Sequence, residues 1–339
     1  MNRLPTTIKQ IADATGVHPS TVSRALDPAK RHLVAEDVAD RIAAKARALG
    51  YQPNRLAAGL RRGRTNLIGV LLPDIANTVF APILGGITET LAEAGFAPIV
   101  ADAGNDPSRQ ISLVEKVVNQ RVDGLMLATV SQDDELVGYC IDRELPVVLV
   151  NRAEARDRVS SVVSDDEMGM RLAVDHLVGI GHKRIVHVAG PLATSTGALR
   201  REGFLKAMAH HGLDAIVSEA PQYTRYGGEV AARELFGNGE ITAVVAANDL
   251  IALGVLDVLH ANGLRCPDDV SVVGHNNMPL IDMISPPLTT IHIEHREMGQ
   301  LAAKMLVETI NSRSENIRQI ILKPKLIVRR STETPKSSR

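Results

Sequence analysis

From residue 66 onward, short apolar runs alternate with amphipathic stretches, and this alternation constrains the fold more than any other feature of the sequence. The runs are of strand length and rich in Val, Ile and Leu, as in "LIGVLL", "PVVLVN", "RIVHVAG" and "AVVAAN". Such continuous apolar runs are typical of parallel strands that are covered on both faces. Alternating strands and helices predict an α/β core of doubly wound parallel sheets. The runs are too many for one sheet and pause near residues 151–165, which predicts two lobes.

The chain before residue 66 has a different pattern, with three short amphipathic segments and an excess of positive charge. Residues 1–65 contain twelve Lys and Arg against five Asp and Glu, a net of +7. The remainder carries 26 against 34, a net of −8, so the whole chain is close to neutral at −1. A basic head on an acidic body indicates an anionic partner for the head alone.

The segment "TIKQIADATGVHPSTVSRALDP" has the spacing of a helix-turn-helix. Thr7 and Gln10 form a capping box before the first helix, Gly16 supplies the turn, and Pro19 suits the first position of the second helix. The second helix would expose short polar side chains together with Arg24, whose guanidinium suits a guanine edge in the major groove. Hydroxyl groups beside it would contact phosphates. The predicted DNA contacts of this segment are Thr7, His18, Pro19, Ser20, Thr21, Ser23 and Arg24. The alternative is a small helical domain with a merely polar face.

Motifs for other chemistries are missing. The sequence has no GxxxxGK[ST], no GxGxxG and no GxSxG, so we predict no nucleotide cradle and no nucleophilic serine. Cys140 and Cys266 lie far apart without a CxxC partner, and we expect reduced, buried thiols. The stretch "HIEHREMG" has superficial metal-ligand spacing, but it begins an amphipathic helix. The sequence therefore predicts no catalytic site, no metal and no cofactor.

Two further expectations concern the environment of the chain and its end. We find no signal peptide and no apolar run of 18 residues, and we expect a soluble, cytoplasmic protein with no membrane partner. The polar stretch "RRSTETPKSSR" at 329–339 is predicted to be a disordered tail.

Several longer motifs occur in a fixed order: "IADATGVHPSTVSRAL", "ARALGYQPNRLAAGLRRGRTNLIGVLLPDI", "DHLVGIGHKRIVHVAGP", "RREGF", "AANDLIALG" and "PPLTTI". On these motifs the chain, from about Thr7 to Val328, resembles the LacI/GalR family of bacterial transcription regulators. The resemblance implies an all-α helix-turn-helix domain at 1–52, a hinge helix and linker at 53–65, and a periplasmic-binding-protein-like core of two Rossmann-like lobes. The implied N-terminal lobe comprises 66–161 and 292–328, and the implied C-terminal lobe comprises 162–291.

The resemblance also implies a homodimer on a pseudo-palindromic operator in double-stranded DNA. The stretch "NRLAAGLRRGRT" at 54–65 is too short to be a stable helix alone in water. As the family's hinge helix it would be capped by Asn54, would pack Ala57 against its symmetry mate, and would wedge Leu60 into the central base step. Its ordering would depend on DNA and could be set by the core.

The sequence departs from the family pattern at several positions, among them Asp27, which stands where asparagine is usual. His18 and Ala35 stand where the family commonly has helix-capping serines; we expect a poorer cap from the histidine and no side-chain cap from the alanine. Ala58 stands where many relatives have arginine, so one backbone contact to DNA is expected to be missing.

Polar residues that directly follow the apolar runs are candidate ligand contacts, because ligands bind outside the carboxyl ends of parallel strands. This rule selects Asp74, Asn77, Asn248, Asp249 and Asn276. The resemblance adds Phe80, Asp165, Thr194, Thr196, Arg200 and Tyr223, with the guanidinium of Arg200 as the anchor for a carboxylate, a phosphate or paired hydroxyls. Structural alternatives stay open: Asp165 and Asp249 could be helix caps or first-turn residues, Asn77 could close a turn, and Phe80 could belong to the core.

The ligand class follows from two positions of the resemblance. Thr194 stands where the purine-responsive branch carries arginine, which argues against a purine base, and Asn276 stands where several sugar-responsive members have aspartate. We expect a sugar, sugar acid or sugar phosphate that controls a DNA-binding regulator, usually a repressor. The alternatives are a regulator controlled by a partner protein or by no effector, and a cytosolic solute-binding protein or enzyme, which would leave residues 1–65 unexplained.

Overall fold

The structure is a computed structural model that describes residues 6–27, 30–51, 64–235, 241–312 and 316–336. The chain divides into two compact units, Met1–Thr65 and Asn66–Arg339. No helix in the described ranges is both long enough and apolar enough to span a membrane.

The described residues of the first unit form three helices, α1 (Ile8–Thr15), α2 (Pro19–Ala25) and α3 (Glu36–Ala48), with one turn of 3-10 helix between the last two. Their apolar faces meet because small and branched side chains recur at helical spacing. The buried core of this unit consists of Ile11, Ala12, Val22, Ala25, Ala39, Ile42 and Ala46. The predicted all-α head is confirmed.

In the second unit, the residues that the structure describes form two six-stranded sheets. The first sheet is entirely parallel and has the order β11-β5-β4-β3-β1-β2. Its strands are β1 (Leu67–Leu72), β2 (Ala97–Asp102), β3 (Gly124–Leu127), β4 (Val147–Val150), β5 (Ser160–Ser164) and β11 (Gln319–Leu322). Its helices are α4 (Phe80–Glu93), α5 (Pro107–Asn119), α6 (Glu135–Asp142) and α11 (His295–Ser312). This sheet and its helices form the N-terminal lobe.

The second sheet has the order β12-β10-β9-β8-β6-β7, and only the edge strand β12 is antiparallel to its neighbour. Its strands are β6 (Ile185–Ala189), β7 (Ile216–Glu219), β8 (Ala243–Ala246), β9 (Ser271–Asn276), β10 (Thr289–His292) and β12 (Lys325–Ile327). Its helices are α7 (Asp166–Gly179), α8 (Ser195–His210), α9 (Arg225–Leu235) and α10 (Asp249–Ala261). The predicted two-lobed, doubly wound core is confirmed.

The chain crosses between the two sheets three times, and the crossings correct the predicted lobe boundaries. The first crossing comes after β5, which lies wholly in the first sheet. The first segment of the N-terminal lobe therefore extends to Ser164, and not to residue 161 as predicted. The second follows β10. The third lies between β11 and β12, so residues 325–328 belong with the C-terminal lobe. The short run "KLI" pairs with β10 through Thr290 and Ile327, a contact that its length and composition did not reveal.

The predicted disorder of the tail is wrong for residues 329–336, which lie along the C-terminal lobe. Ser331 is fully buried; its hydroxyl donates to Val272 O over 2.6 Å and accepts from Thr289 N over 2.8 Å. The backbone O of Ser331 also accepts from Val272 N at 2.8 Å. The polar character of this stretch therefore reflects hydrogen bonds to strand ends instead of solvation. Residues 337–339 lie outside the described part.

Both cysteines are free thiols. Cys140 is buried as expected, whereas Cys266 is only half-buried, and burial raises the pKa of each thiol to about 12. Within the described ranges, no group of three or more His, Cys, Asp or Glu side chains could hold a metal ion.

Candidate functional site

The helix-turn-helix is fixed by side-chain caps at the start of each of its helices. Thr7 Oγ1 accepts a hydrogen bond from Gln10 N at 3.3 Å, and Gln10 Oε1 accepts one from Thr7 N at 2.8 Å, which completes the predicted capping box. Gly16 ends α1 at φ +68°, a left-handed conformation that favours glycine. His18 then caps α2, because its Nδ1 accepts from Ser20 N at 3.2 Å. The turn between the two helices is therefore closed on both sides.

The third helix lacks such a cap. Ala35 makes no side-chain hydrogen bond at its start, as the sequence implied. Glu36 and Asp37 place negative charge in the first turn instead, where it favours the positive end of the helix dipole.

The exposed side of α2 carries the residues that the sequence predicts to meet DNA. Pro19, Ser20 and Arg24 are exposed, and Thr21 and Ser23 are half-buried. The guanidinium of Arg24 has no hydrogen-bond or ion-pair partner among the residues that the structure describes, so it is free to bind an external acceptor. The predicted hinge contacts Asn54, Ala57 and Leu60 lie outside the described residues.

A cavity of about 660 Å³ lies between the two lobes of the core, at the carboxyl ends of their parallel strands. Nine of the eleven candidate ligand contacts line it: Asp74, Asn77, Phe80, Thr194, Thr196, Arg200, Tyr223, Asn248 and Asn276. The two lobes also touch beside this cavity. Gln132 of the N-terminal lobe donates from its N to Ala193 O at 3.0 Å and from its Nε2 to Leu192 O at 2.7 Å, and Ala153 N donates to Ser195 Oγ at 3.1 Å.

Arg200 is the more deeply buried of the two arginines that line the cavity. Its Nε donates to Asp166 Oδ1 at 2.7 Å, its Nη1 to Ala247 O at 2.6 Å, and its Nη2 to Asn276 Oδ1 at 3.3 Å. Burial alone lowers the pKa of Arg200, but Asp166 and Tyr223 outweigh this effect and raise it overall. The guanidinium is therefore a permanently charged group with a fixed orientation.

A chain of hydroxyl groups forms the neighbouring wall. Thr194 Oγ1 lies 3.2 Å from Thr196 Oγ1, which in turn lies 3.0 Å from the phenol oxygen of Tyr223. Thr194 also caps α8 by accepting from Gly197 N. The ring of Tyr223 lies against Gly190, where a Cβ atom would come within 2.3 Å of the ring. Glycine at this position therefore allows the phenol to reach the hydroxyl chain.

Several predicted contacts also have a structural role. Asn248 caps α10 by accepting from Ile251 N, and Asn77 Oδ1 accepts from Val79 N within a turn. Phe80 belongs to the core of the N-terminal lobe and borders the cavity as well. Asp249 is buried away from the cavity and accepts from Thr290 Oγ1 at 2.6 Å and from Met278 N at 2.7 Å. Burial raises the pKa of its carboxyl group to about 7.

Asp165, like Asp249, is a candidate ligand contact that does not line the cavity. Its Oδ1 accepts from Met168 N at 2.9 Å and caps α7, so the structural alternative holds. The adjacent Asp166 enters the site instead, because the helix start turns its side chain towards Arg200.

Several residues that were not selected from the sequence also belong to the site. Asp166 holds Arg200, and Thr129 and Arg152 line the cavity from the N-terminal lobe. Thr129 and Arg152 lie two residues after the ends of β3 and β4. The rule that selects polar residues after apolar runs would have found both if it had been extended to the ends of "VDGLMLA" and "PVVLVN".

The comparison with known proteins matches this arrangement. Residues 7–54 match the family described as bacterial regulatory proteins, lacI family, and residues 174–332 match a periplasmic binding protein-like domain. The HTH-type transcriptional repressor PurR of Photorhabdus laumondii is 31% identical over 330 residues, which cover 96% of each chain.

Two solved structures share the fold over nearly the whole chain. The lac repressor dimer bound to operator and the anti-inducer ONPF has a TM-score of 0.87 at 26% identity, with 97% of this chain and 100% of that chain covered. A complex of the transcriptional regulator CelR with cellobiose has a TM-score of 0.73 at 29% identity, with 96% and 99% covered.

A helix-turn-helix unit followed by a two-lobed core with a cleft defines a DNA-binding transcriptional repressor, and not an enzyme. The chain belongs to the LacI family of bacterial regulatory proteins.

Proposed function

We propose that this repressor binds a pseudo-palindromic operator as a homodimer and that a carbohydrate-like molecule in the cleft controls its binding. The observation that carries the proposal is the cavity of about 660 Å³ between the lobes, whose walls present hydroxyl, amide and guanidinium groups. A cavity of this size suits a small molecule, and such polar groups suit the hydroxyl groups of a sugar.

The dimer and the hinge are proposed from the likeness to the lac repressor, which is described as a dimer bound to operator. In this chain the hinge would comprise residues 53–65, with Asn54 as a cap, Ala57 at the symmetry axis and Leu60 as a wedge between base pairs. The basic charge of residues 1–65 supports contact of this part with DNA. A protein that acts on operator DNA would work in the cytoplasm.

The ligand class is proposed from the cleft and from one similar structure. CelR is described in complex with cellobiose. The hydroxyl chain from Thr194 to Tyr223 and the amide of Asn276 offer both donors and acceptors, which a sugar requires. Thr194 has a short side chain whose hydroxyl caps α8, so this position does not offer the guanidinium that the purine-responsive branch carries there. This supports the prediction against a purine base.

Control by a ligand requires that it bind one arrangement of the lobes more tightly than another. Two hydrogen bonds join the lobes beside the cavity: Gln132 donates to Leu192 O, and Ser195 Oγ accepts from Ala153 N. A ligand that touches both lobes would change how readily these bonds break, and the hinge would respond through the lobes.

The experiment begins with selection of an operator from random double-stranded DNA by the purified full-length protein. Fluorescence anisotropy then measures operator binding in the presence of a broad panel of sugars, sugar acids, sugar phosphates and purines. We expect a palindromic operator and at least one carbohydrate-like compound that changes the affinity. A repressor that binds its operator but responds to no small molecule would instead favour control by a partner protein or by no effector.

Two variants test the DNA contacts. Arg24→Ala should relax the selected base at one position of each half-site, because it removes a base contact, with a cost of about 1–3 kcal/mol. Arg47→Ala, on α3, is the matched control and should weaken binding equally for all sequences, if at all. Leu60→Ala should weaken operator binding far more than binding to random DNA; equal losses on both would refute the wedge.

A further inference from the structure

The N-terminal lobe supplies the cleft with a buried arginine that lacks a counter-charge. Arg152 follows β4, lines the cavity and is only 5% exposed. Its Nη1 lies 3.5 Å from Asn105 Oδ1 and 3.5 Å from Thr129 O, at the outer limit for a hydrogen bond, and its Nε has no partner. Within the described residues it forms no ion pair.

The carboxylates of the surrounding segments are already engaged. Glu154 accepts from the guanidinium of Arg158 at 2.5 and 3.0 Å. Asp133 pairs with Arg156 at 2.9 Å. Asp134 accepts from two backbone N–H groups, at 2.7 and 2.8 Å. None of these carboxylates forms a hydrogen bond or an ion pair with Arg152.

Arg200, across the cleft, shows the contrast. Arg200 is buried to a similar extent, but it forms an ion pair with Asp166. Burial is the main effect that lowers the pKa of Arg152; Tyr223 offsets part of this effect, and the positive charge of Arg200 lowers the pKa further. The cavity wall thus contains two deeply buried guanidinium groups, of which the protein neutralises one.

A second group without a partner lies next to Arg152. Thr129 follows β3, the direct neighbour of β4, and both residues stand at the carboxyl ends of these parallel strands. The hydroxyl oxygen of Thr129 is buried and has no hydrogen-bond partner. In the part of the chain that the structure describes, Thr129 and Arg152 are the two cavity-lining residues with such an unsatisfied buried atom.

Buried donors without partners are costly, and native proteins tolerate them mainly where something else completes them. A guanidinium beside a hydroxyl is suited to an oxyanion, because both donate hydrogen bonds and the guanidinium adds charge. A neutral sugar would leave the charge of Arg152 uncompensated in the closed cleft.

We propose that Arg152 and Thr129 form a subsite for a carboxylate or phosphate group, so that the effector of this repressor is an acidic sugar derivative. Its anionic end lies in the N-terminal lobe, and its hydroxyl groups face Thr196 and Tyr223 of the C-terminal lobe. This inference rests on the proposed control of the repressor by a carbohydrate-like molecule.

The first test is thermal denaturation of the full-length protein with glucose, galactose, ribose and fructose, the matching aldonic acids of the three aldoses, and the matching sugar phosphates. We expect the compound that raises the unfolding temperature most to be an acid. A neutral sugar as the strongest stabiliser, or no stabilisation by any acid, overturns the proposal. Comparison of the aldonates with the phosphates identifies which oxyanion the subsite prefers.

Calorimetric titration of the best acid then tests the two residues. Arg152→Gln should weaken its binding at least about tenfold, because it removes a charged hydrogen bond. Thr129→Val, which keeps the shape of the side chain, should weaken it by about threefold to tenfold. Arg156→Gln is the matched control: this exposed arginine lies in the same loop but does not line the cavity, and the affinity should stay unchanged. Unchanged affinity in both Arg152→Gln and Thr129→Val overturns the proposal.

The stability of the ligand-free protein separates a binding role from a structural one. Arg152→Met removes an unpaired buried charge, so its unfolding temperature should equal or exceed that of the wild type. A clearly lower temperature would mark Arg152 as a structural residue and overturn the proposal. If the wild type binds its operator but responds to a neutral sugar, this inference fails while the proposed function stands; if no operator can be selected, the proposed function fails first.

Discussion

Arg200 donates its Nε hydrogen to Asp166 Oδ1 over 2.7 Å, although the two side chains are only 3% and 4% exposed. The pair joins α7 to α8 at the wall of the cleft. Taking two charges out of water is costly, and the attraction between them offsets that cost only while both remain. The same contact therefore holds the C-terminal lobe together and orients the guanidinium that faces the ligand.

Replacement of Arg200 by methionine should lower the free energy of unfolding by about 3–5 kcal/mol, because Asp166 would remain buried without its partner. Urea denaturation of the full-length protein measures this loss. The control is Arg225→Met, which breaks the ion pair with Asp257 at a position where Arg225 is 60% exposed. That exposed pair should contribute less than about 1 kcal/mol. Equal losses in the two variants would contradict the prediction.

Asp249 should make the stability of the core depend on pH. Burial raises the pKa of its carboxyl to about 7, so between about pH 4 and pH 7 the folded protein keeps a proton that the unfolded chain has released. Stability conferred by this group is therefore lost as the pH rises through that window, at up to about 1.4 kcal/mol per pH unit. The control is Asp249→Asn, which does not titrate. Urea denaturation from pH 5 to 8 should show the wild type losing stability relative to this variant, and a constant difference would exclude the raised pKa.

Gly190→Ala should weaken effector binding with little effect on folding. The new methyl group would lie 2.3 Å from the ring of Tyr223 and would push the phenol away from Thr196. We expect about a tenfold loss of affinity for whichever sugar derivative stabilises the wild type most, measured by calorimetry. Gly179→Ala is the matched control, because nothing lies within 4 Å of the position its Cβ would take. It should leave binding unchanged and stabilise α7 by about 0.5 kcal/mol. Wild-type affinity in Gly190→Ala would show that Tyr223 has no part in binding.

Ser331→Ala tests whether residues 329–336 are held against the C-terminal lobe. The variant leaves Val272 O and Thr289 N without the buried hydroxyl that they share, and we expect a loss of about 1–3 kcal/mol in the free energy of unfolding. Glu333→Ala changes an exposed side chain two residues later and keeps the backbone hydrogen bonds of that residue. It should cost less than about 0.5 kcal/mol. A disordered tail would give no difference between the two variants in chemical denaturation.

The sheets could be predicted because fully covered parallel strands need continuous Val, Ile and Leu runs, and such runs are visible without knowledge of the fold. The start of the helix-turn-helix was equally legible, since Thr7 and Gln10 satisfy each other locally. The edge strand β12 and the burial of Ser331 could not be predicted, because a strand of three residues and a polar tail show no periodic pattern of apolar residues. Their partners lie in β9 and β10, far away in sequence.

Single-residue placement at the cleft was the hardest part to predict. The adjacent Asp165 and Asp166 have the same chemistry, and only the turn at which α7 begins decides which one caps the helix and which one meets Arg200. Arg152 was missed for a related reason. A long polar side chain after a strand is usually read as solvated, and its burial against Thr129 depends on how β3 and β4 lie side by side.

The three crossings between the lobes bear on how the chain is made in the cell. The core of the N-terminal lobe joins Phe80 and Ile83 of α4 with Met298 and Leu306 of α11, so a ribosome that has finished β5 has released a sheet whose apolar face is covered only in part, by α4. The face stays open until α11 emerges, after most of the C-terminal lobe. The last strands, β11 and β12, then complete the two sheets almost together. Each sheet therefore gains an edge strand only at the end of synthesis, and a chain that terminates before β11 exposes an unpaired strand edge in both lobes.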